Sequence, residues 1–193
     1  MNFRGILASI AILTAVAGCA PQVTPPQTGV ASASRGTASL PREVERLVGP
    51  SYDDPALQAY VDRVGQRVVA AAALPGTYRF VVLDQPLANA HAVPGYVFVT
   101  RGLLAILEDE AELAAALGHE LGHLVERHAA QRARVRKDML DAAVAAASTS
   151  GSVTVGRSVA SAGLLALRRY SRDQELEADR LALTYITKAG YRG

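Results

Sequence analysis

The chain has 193 residues, 50% hydrophobic and 20% charged, which is enough apolar material for one domain with a buried core. Twenty Lys and Arg against eighteen Asp and Glu leave a net charge of +2, excluding the dominant basic surface of a nucleic-acid-binding protein. Aromatic residues are 5% with no Trp, which also excludes stacking platforms for single strands, and a single Cys excludes an intramolecular disulfide.

At the N-terminus Arg4 supplies a short basic start, and Ile6 to Ala17 carries no charge. The run is too short to span a bilayer as a permanent helix and reads as a secretory signal. It ends Val16-Ala17-Gly18-Cys19, which resembles a bacterial lipobox: small residues at the cleavage point, then the Cys whose thiol takes diacylglycerol. Residues 1–18 are therefore expected to be a lipoprotein signal peptide and Cys19 the lipidated residue. Ala20 follows the Cys where Asp would mark the inner membrane, so resemblance to lipoprotein sorting implies the outer membrane, periplasmic face. From Ala20 to Leu40 the chain is mostly Pro, Gln, Thr, Ser, Gly and Ala and reads as a flexible tether. The folded domain is expected over 41–193.

Asp54-Pro55 pairs an N-cap with Pro at the first helical position, and Leu57, Val61, Val64 and Val68 recur at helical spacing. This predicts a helix to about Ala73, stopped by Pro75-Gly76. Tyr78–Leu83, Ala88–Val93 and Tyr96–Thr100 read as strands separated by turns at Asp84-Gln85-Pro86 and Pro94-Gly95, predicting a small antiparallel sheet. The segment Asn89–Val93 is short and followed by Pro94, which favours an edge strand. Asp109 with Glu112 has the spacing of a capping box and opens a long helix through His128 to about Ala145. A last helix is expected from a Ser171 cap, with Gln174 three residues on, to Gly190. The class is α+β, mostly helical.

The long helix carries His119-Glu120-Leu121-Gly122-His123. Residues i and i+4 lie one turn apart, about 40° around the axis, so both imidazoles reach one metal. The His and Glu frequencies of this chain give roughly 0.004 chance occurrences of the pattern. Leu113, Leu117, Leu121 and Leu124 form one stripe, and the two histidines point to the other side. Zinc needs a third protein ligand and an open position. The metzincin continuation is excluded, because Glu126 and Ala129 stand where a Gly and a third His are required. On a continuous helix His128 lies about 140° from His123, on the Leu stripe, and is read as structural.

The third ligand is expected from the last helix. Its wheel places Asp173, Glu177, Arg180, Thr184 and Lys188 on a polar face, whereas Glu175 and Asp179 sit beside Ala182 and Ile186 on the apolar one. Inward carboxylates need a partner. Glu175 is read as the third metal ligand, and Asp179 as the acceptor of a ligating histidine's other ring N–H; a buried ion pair between Asp179 and an Arg is the alternative.

The paired motifs, His119-Glu-Leu-Gly-His123 and Glu175-x-x-x-Asp179 within YSRDQELEAD, resemble the gluzincin metallopeptidases of the HtpX, BepA and LoiP kind, relatives of the CAAX prenyl endopeptidase. Asn89 to Leu104, NAHAVPGYVFVTRGLL, resembles their strand and following helix, although His91 stands where they usually have an aromatic and only Gly95 follows Pro94 where two glycines are usual. The resemblance implies a zincin-like domain that continues beyond Gly193, one Zn2+ per chain, and Glu120 as general base. It also implies a substrate strand paired along Asn89, Ala90, His91 and Ala92. His91 is read as a plain strand-end histidine, with a regulatory metal ligand as the alternative. The expected activity is hydrolysis of peptide bonds in unfolded or misfolded envelope proteins. The alternative is an outer-membrane protein assembly and quality-control factor that binds such proteins and holds a latent protease site.

Overall fold

The computed structural model describes residues 40–192; the signal segment, Cys19 and the tether lie outside the described residues. The elements in order are α1 (Arg42–Val48), α2 (Pro55–Ala72), β1 (Arg79–Leu83), β2 (Ala90–Val93), β3 (Tyr96–Thr100), α3 (Arg101–Leu104), α4 (Glu110–Val125), α5 (His128–Ser150) and α6 (Val153–Lys188). Local chemistry sets several boundaries. Asp54 accepts from the Ala56 and Leu57 amides ahead of Pro55, and α2 ends at Ala73 in the left-handed conformation. Asp109 accepts from the Glu112 amide at the start of α4, while the Glu112 carboxylate reaches back to the Glu108 amide at 2.7 Å.

The sheet is mixed, which corrects the antiparallel expectation. Its order is β1-β3-β2, with β1 parallel and β2 antiparallel to β3. β1 and β3 are equally buried, and the half-buried Ala90–Val93 takes an edge, as its brevity and Pro94 predict. Alternation along the strands separates two cores. Phe80, Val82, Val97 and Val99 join Val61, Val64 and Val68 of α2, Leu113, Leu117 and Leu121 of α4, and Tyr185 and Ile186 of α6. Val81, Leu83 and Phe98 face the other way, against Leu40 and Val48.

Two helix boundaries also differ from expectation. The helix opened by Asp109 ends at Val125, and Arg127, with φ +56°, turns the chain into α5. The last helix begins at Val153, so Ser171 lies inside it and caps nothing. Small residues explain the added length of α6: a Cβ at Gly156 would meet Ala147 Cβ at 2.7 Å, and one at Gly163 would meet Met139 Cγ at 2.0 Å. Side chains of α5 occupy the space that a Cβ on α6 would need at these two positions. No helix among the described residues is long and apolar enough to cross a membrane.

Candidate active site

The site is built where α4 and α6 touch. A Cβ at Gly118 would sit 3.4 Å from the Ala182 Cα, and one at Gly122 would sit 3.3 Å from the Ala178 Cα. Two glycines on α4 and two alanines on α6 thus bring the backbones into contact, and the residues flanking them face each other across the seam. The Leu stripe of α4 is buried at Leu113, Leu117 and Leu121, which turns His119 and His123 toward α6.

Three donor groups converge there. His119 Nε2 and His123 Nε2 are 3.0 Å apart, and Glu175 Oε2 is 3.4 Å from each. A tetrahedral site with bonds of about 2.0–2.2 Å has donor–donor edges of about 3.3–3.6 Å. The two edges to Glu175 fall in that range and the edge between the histidines is shorter, with two imidazole nitrogens and one carboxylate as the donors zinc favours. His119 Nδ1 is held by Asp179 Oδ1 at 2.9 Å. Glu175 and Asp179 sit at the cleft rim, with side chains about half exposed or more, instead of deep on an apolar face. Gln174, immediately before Glu175, is buried; its Oε1 accepts from Arg132 and its Nε2 donates to Gln131, tying this turn of α6 to α5.

A cleft of about 440 Å³ opens beside the triad, lined by Ala90, Ala115, His119, Glu120, Asp179 and Ile186 among others. Burial raises the Glu120 carboxyl above the ordinary carboxylate range; His119 opposes this and Glu175 adds to it. Burial likewise lowers the His123 imidazole, with Glu175 opposing. A carboxyl group that holds its proton more tightly than usual, next to a set of metal donors, is suited to general acid–base work.

The edge strand borders this cleft through Ala90. Thr100 N donates to Asn89 O, so Asn89 and Thr100 form a hydrogen-bonded pair of the ladder. With the register Ala90–Val99 and His91–Phe98, antiparallel alternation directs the main-chain groups of Ala90 and Ala92 to the free edge and those of His91 toward β3. Asn89 N donates to Thr100 Oγ1 and its residue is exposed. His91 is placed differently from the expected substrate contact. It stacks on Phe98 with ring centroids 5.0 Å apart, on the sheet face opposite Ala90, because successive side chains alternate. Its Nδ1 is buried without a hydrogen-bond partner among the described residues, and burial lowers its pKa.

His128 stands elsewhere than sequence reasoning placed it, and Glu177, exposed as expected, is its neighbour. The turn at Arg127 removes the wheel relationship that assigned His128 to the Leu stripe. His128 is buried, as a structural histidine should be, but its Nδ1 is 2.8 Å from His123 Nδ1. Glu177 is on the solvated face as expected, and its carboxylate also lies 3.3 Å from His128 Nε2.

The profile of peptidase family M48 matches residues 55–193. Over 157 residues the chain is 32% identical to a putative beta-barrel assembly-enhancing protease of Vibrio cholerae, covering 74% of this chain and 32% of that protein. It is 36% identical over 143 residues to the mitochondrial metalloendopeptidase OMA1 of Schizosaccharomyces pombe, covering 72% of this chain and 41% of that protein. The beta-barrel assembly-enhancing protease of Escherichia coli K12 is 24% identical over 155 residues, 74% of this chain and 31% of that protein. The chain thus spans between about a third and two fifths of the length of these curated relatives. The matched residues include the helix pair and the edge strand described above, and the chain belongs to peptidase family M48.

Proposed function

We propose that this chain is a zinc-dependent endopeptidase of the bacterial envelope, held at the periplasmic face of the outer membrane by lipid on Cys19 and acting on unfolded or misfolded envelope proteins. The observation that carries the reading is the convergence of His119, His123 and Glu175 at the side of a cleft that His119 and Glu120 line. When bound there, Zn2+ supplies Lewis acidity to water and to the scissile carbonyl. Glu120 accepts the proton of the attacking water and delivers it to the leaving amine nitrogen. Asp179 accepts from His119 Nδ1–H, which fixes the ring and leaves Nε2 as a lone-pair donor.

Substrate is read as an added strand along β2. The outward main-chain groups of Ala90 and Ala92 pair with an extended segment, and Asn89 at the strand's start is exposed for a further contact. Because such pairing uses backbone alone, only locally extended chain enters and side-chain preference is weak. That restriction suits disposal of misfolded proteins. The words beta-barrel assembly-enhancing in the names of two relatives support envelope β-barrel proteins as the substrate class. They equally favour the second reading, an assembly factor whose binding is useful without turnover.

Metal analysis of the purified chain lacking residues 1–19, with casein or a denatured β-barrel protein incubated with and without chelator, tests this. One zinc per chain and chelator-sensitive cleavage are expected. Tight binding of the denatured barrel with no cleavage under any metal loading would favour the assembly factor.

A further inference from the structure

The two histidines of the triad are held in different ways. His119 has a carboxylate on its Nδ1, Asp179 at 2.9 Å. His123 has another imidazole there: His128 Nδ1 at 2.8 Å, in a residue that is 1% exposed. A contact of 2.8 Å between two ring nitrogens requires that one carry the proton and the other accept it. The far nitrogen of His128, Nε2, faces Glu177 Oε2 at 3.3 Å. An ionised carboxylate only accepts. With Glu177 accepting at Nε2, a neutral His128 imidazole keeps a lone pair on Nδ1, and His123 then carries its proton on Nδ1. The chain of donors runs one way, from His123 to His128 to Glu177, and it ends with the His123 Nε2 lone pair turned toward His119 Nε2 and Glu175 Oε2.

We infer that His128 is a positioning residue for His123: it fixes that ring's tautomer and orientation through Nδ1, and Glu177 fixes His128 in turn. The inference rests on the reading of His123 as a metal ligand through Nε2. The backbone supports it. Arg127 takes a left-handed conformation that L-residues adopt only at a cost of about 1–2 kcal/mol, and this turn starts α5 with His128 already against His123. The helix is broken at the place where an unbroken one would carry His128 away from the site. The carboxylate that completes the relay is one ring farther from the donor triangle than Asp179 is, with its side chain 54% exposed. The side chain facing His123 is thus an imidazole, whereas the one facing His119 is a carboxyl group.

The test is zinc affinity of the full chain, measured by competition with a chromophoric chelator, for wild type, His128→Leu, His128→Asn, Glu177→Ala and Glu177→Gln. Loss of a residue that orients a metal ligand costs roughly 10- to 100-fold in affinity, and this is expected of His128→Leu. His128→Asn returns an acceptor oxygen near the position of Nδ1 and should recover most of the loss. Glu177→Gln keeps an acceptor for His128 Nε2–H and should bind like wild type, whereas Glu177→Ala should weaken binding by roughly 3- to 10-fold, the size of one hydrogen bond. The two Glu177 variants change a surface side chain, so they decide the matter even if His128 cannot be replaced without unfolding. Equal losses in His128→Leu and His128→Asn, or wild-type affinity in both Glu177 variants, would overturn the inference. A wild-type chain that binds no zinc would instead overturn the metal reading itself.

Discussion

His119 and Asp179 are 60 positions apart in the chain and 2.9 Å apart in space, Nδ1 to Oδ1, across the seam between α4 and α6. That bond leaves the Nε2 side of the ring facing His123 and Glu175. Asp179→Ala should therefore weaken zinc affinity by roughly 10- to 100-fold without unfolding the chain, since the carboxylate is exposed at the cleft rim. Chelator competition measures it.

The seam makes a second prediction. The Cβ of a residue at position 122 meets Ala178 Cα at 3.3 Å and Ala178 O at 3.4 Å, and neither backbone atom can give way alone. Gly122→Val should cost about 1–3 kcal/mol, the usual range for overpacking, and should also weaken metal binding by moving Glu175 away from the histidines. Gly118→Ala, whose nearest contact is 3.4 Å, should be nearly neutral because the gain in helix propensity offsets it. Denaturant unfolding of the metal-free proteins tests both.

The edge strand makes a third. Ala90→Pro and Ala92→Pro each remove an N–H that faces the free edge and none that the ladder uses. Both variants should fold and hold zinc. Each should lose roughly 3- to 10-fold in kcat/KM on an unfolded substrate, the size of one main-chain hydrogen bond. His91→Pro breaks the pairing to Phe98 and should instead lower thermal stability.

His91 itself predicts a pH dependence of stability. Burial lowers its pKa below the ordinary 6.5, so between the folded and unfolded values the unfolded chain binds more protons and stability rises with pH. The chain should thus be most stable, as far as this group is concerned, above about pH 6.5, and should lose stability as pH falls through the folded-state value. His91→Phe keeps the stack on Phe98 and cannot protonate. The difference in unfolding free energy between variant and wild type should be constant above that pH and should widen in favour of Phe on acidification.

The residues with a purely local signature were legible in the sequence. His119 and His123 share a face because four residues make about one turn, and Glu175 and Asp179 stood out because the wheel turned them away from Glu177 and Lys188. The caps at Asp54 and Asp109, the turn at Pro94-Gly95 and the edge character of β2 rest on the same kind of signal. What tertiary packing decides was not legible. Ser171 and Gln174 have capping spacing, but Gly156 and Gly163 let α5 run along α6 and carry the helix through them. Residues 124–130 contain neither Gly nor Pro, so nothing local marks the turn at Arg127, and with it went the true position of His128 and its contact with Glu177. Strand order is also non-local: alternation shows which faces are buried but not that β1 lies parallel to β3.

In the proposed mechanism His119, His123 and Glu175 hold the metal while Glu120 moves the proton. Zinc content and peptide hydrolysis, measured on the same preparations of wild type, His123→Ala and Glu120→Gln, test it most directly. One zinc per chain is expected in wild type and in Glu120→Gln, hydrolysis in wild type alone, and loss of both in His123→Ala. Normal cleavage by Glu120→Gln, or full zinc retention by His123→Ala, would contradict it.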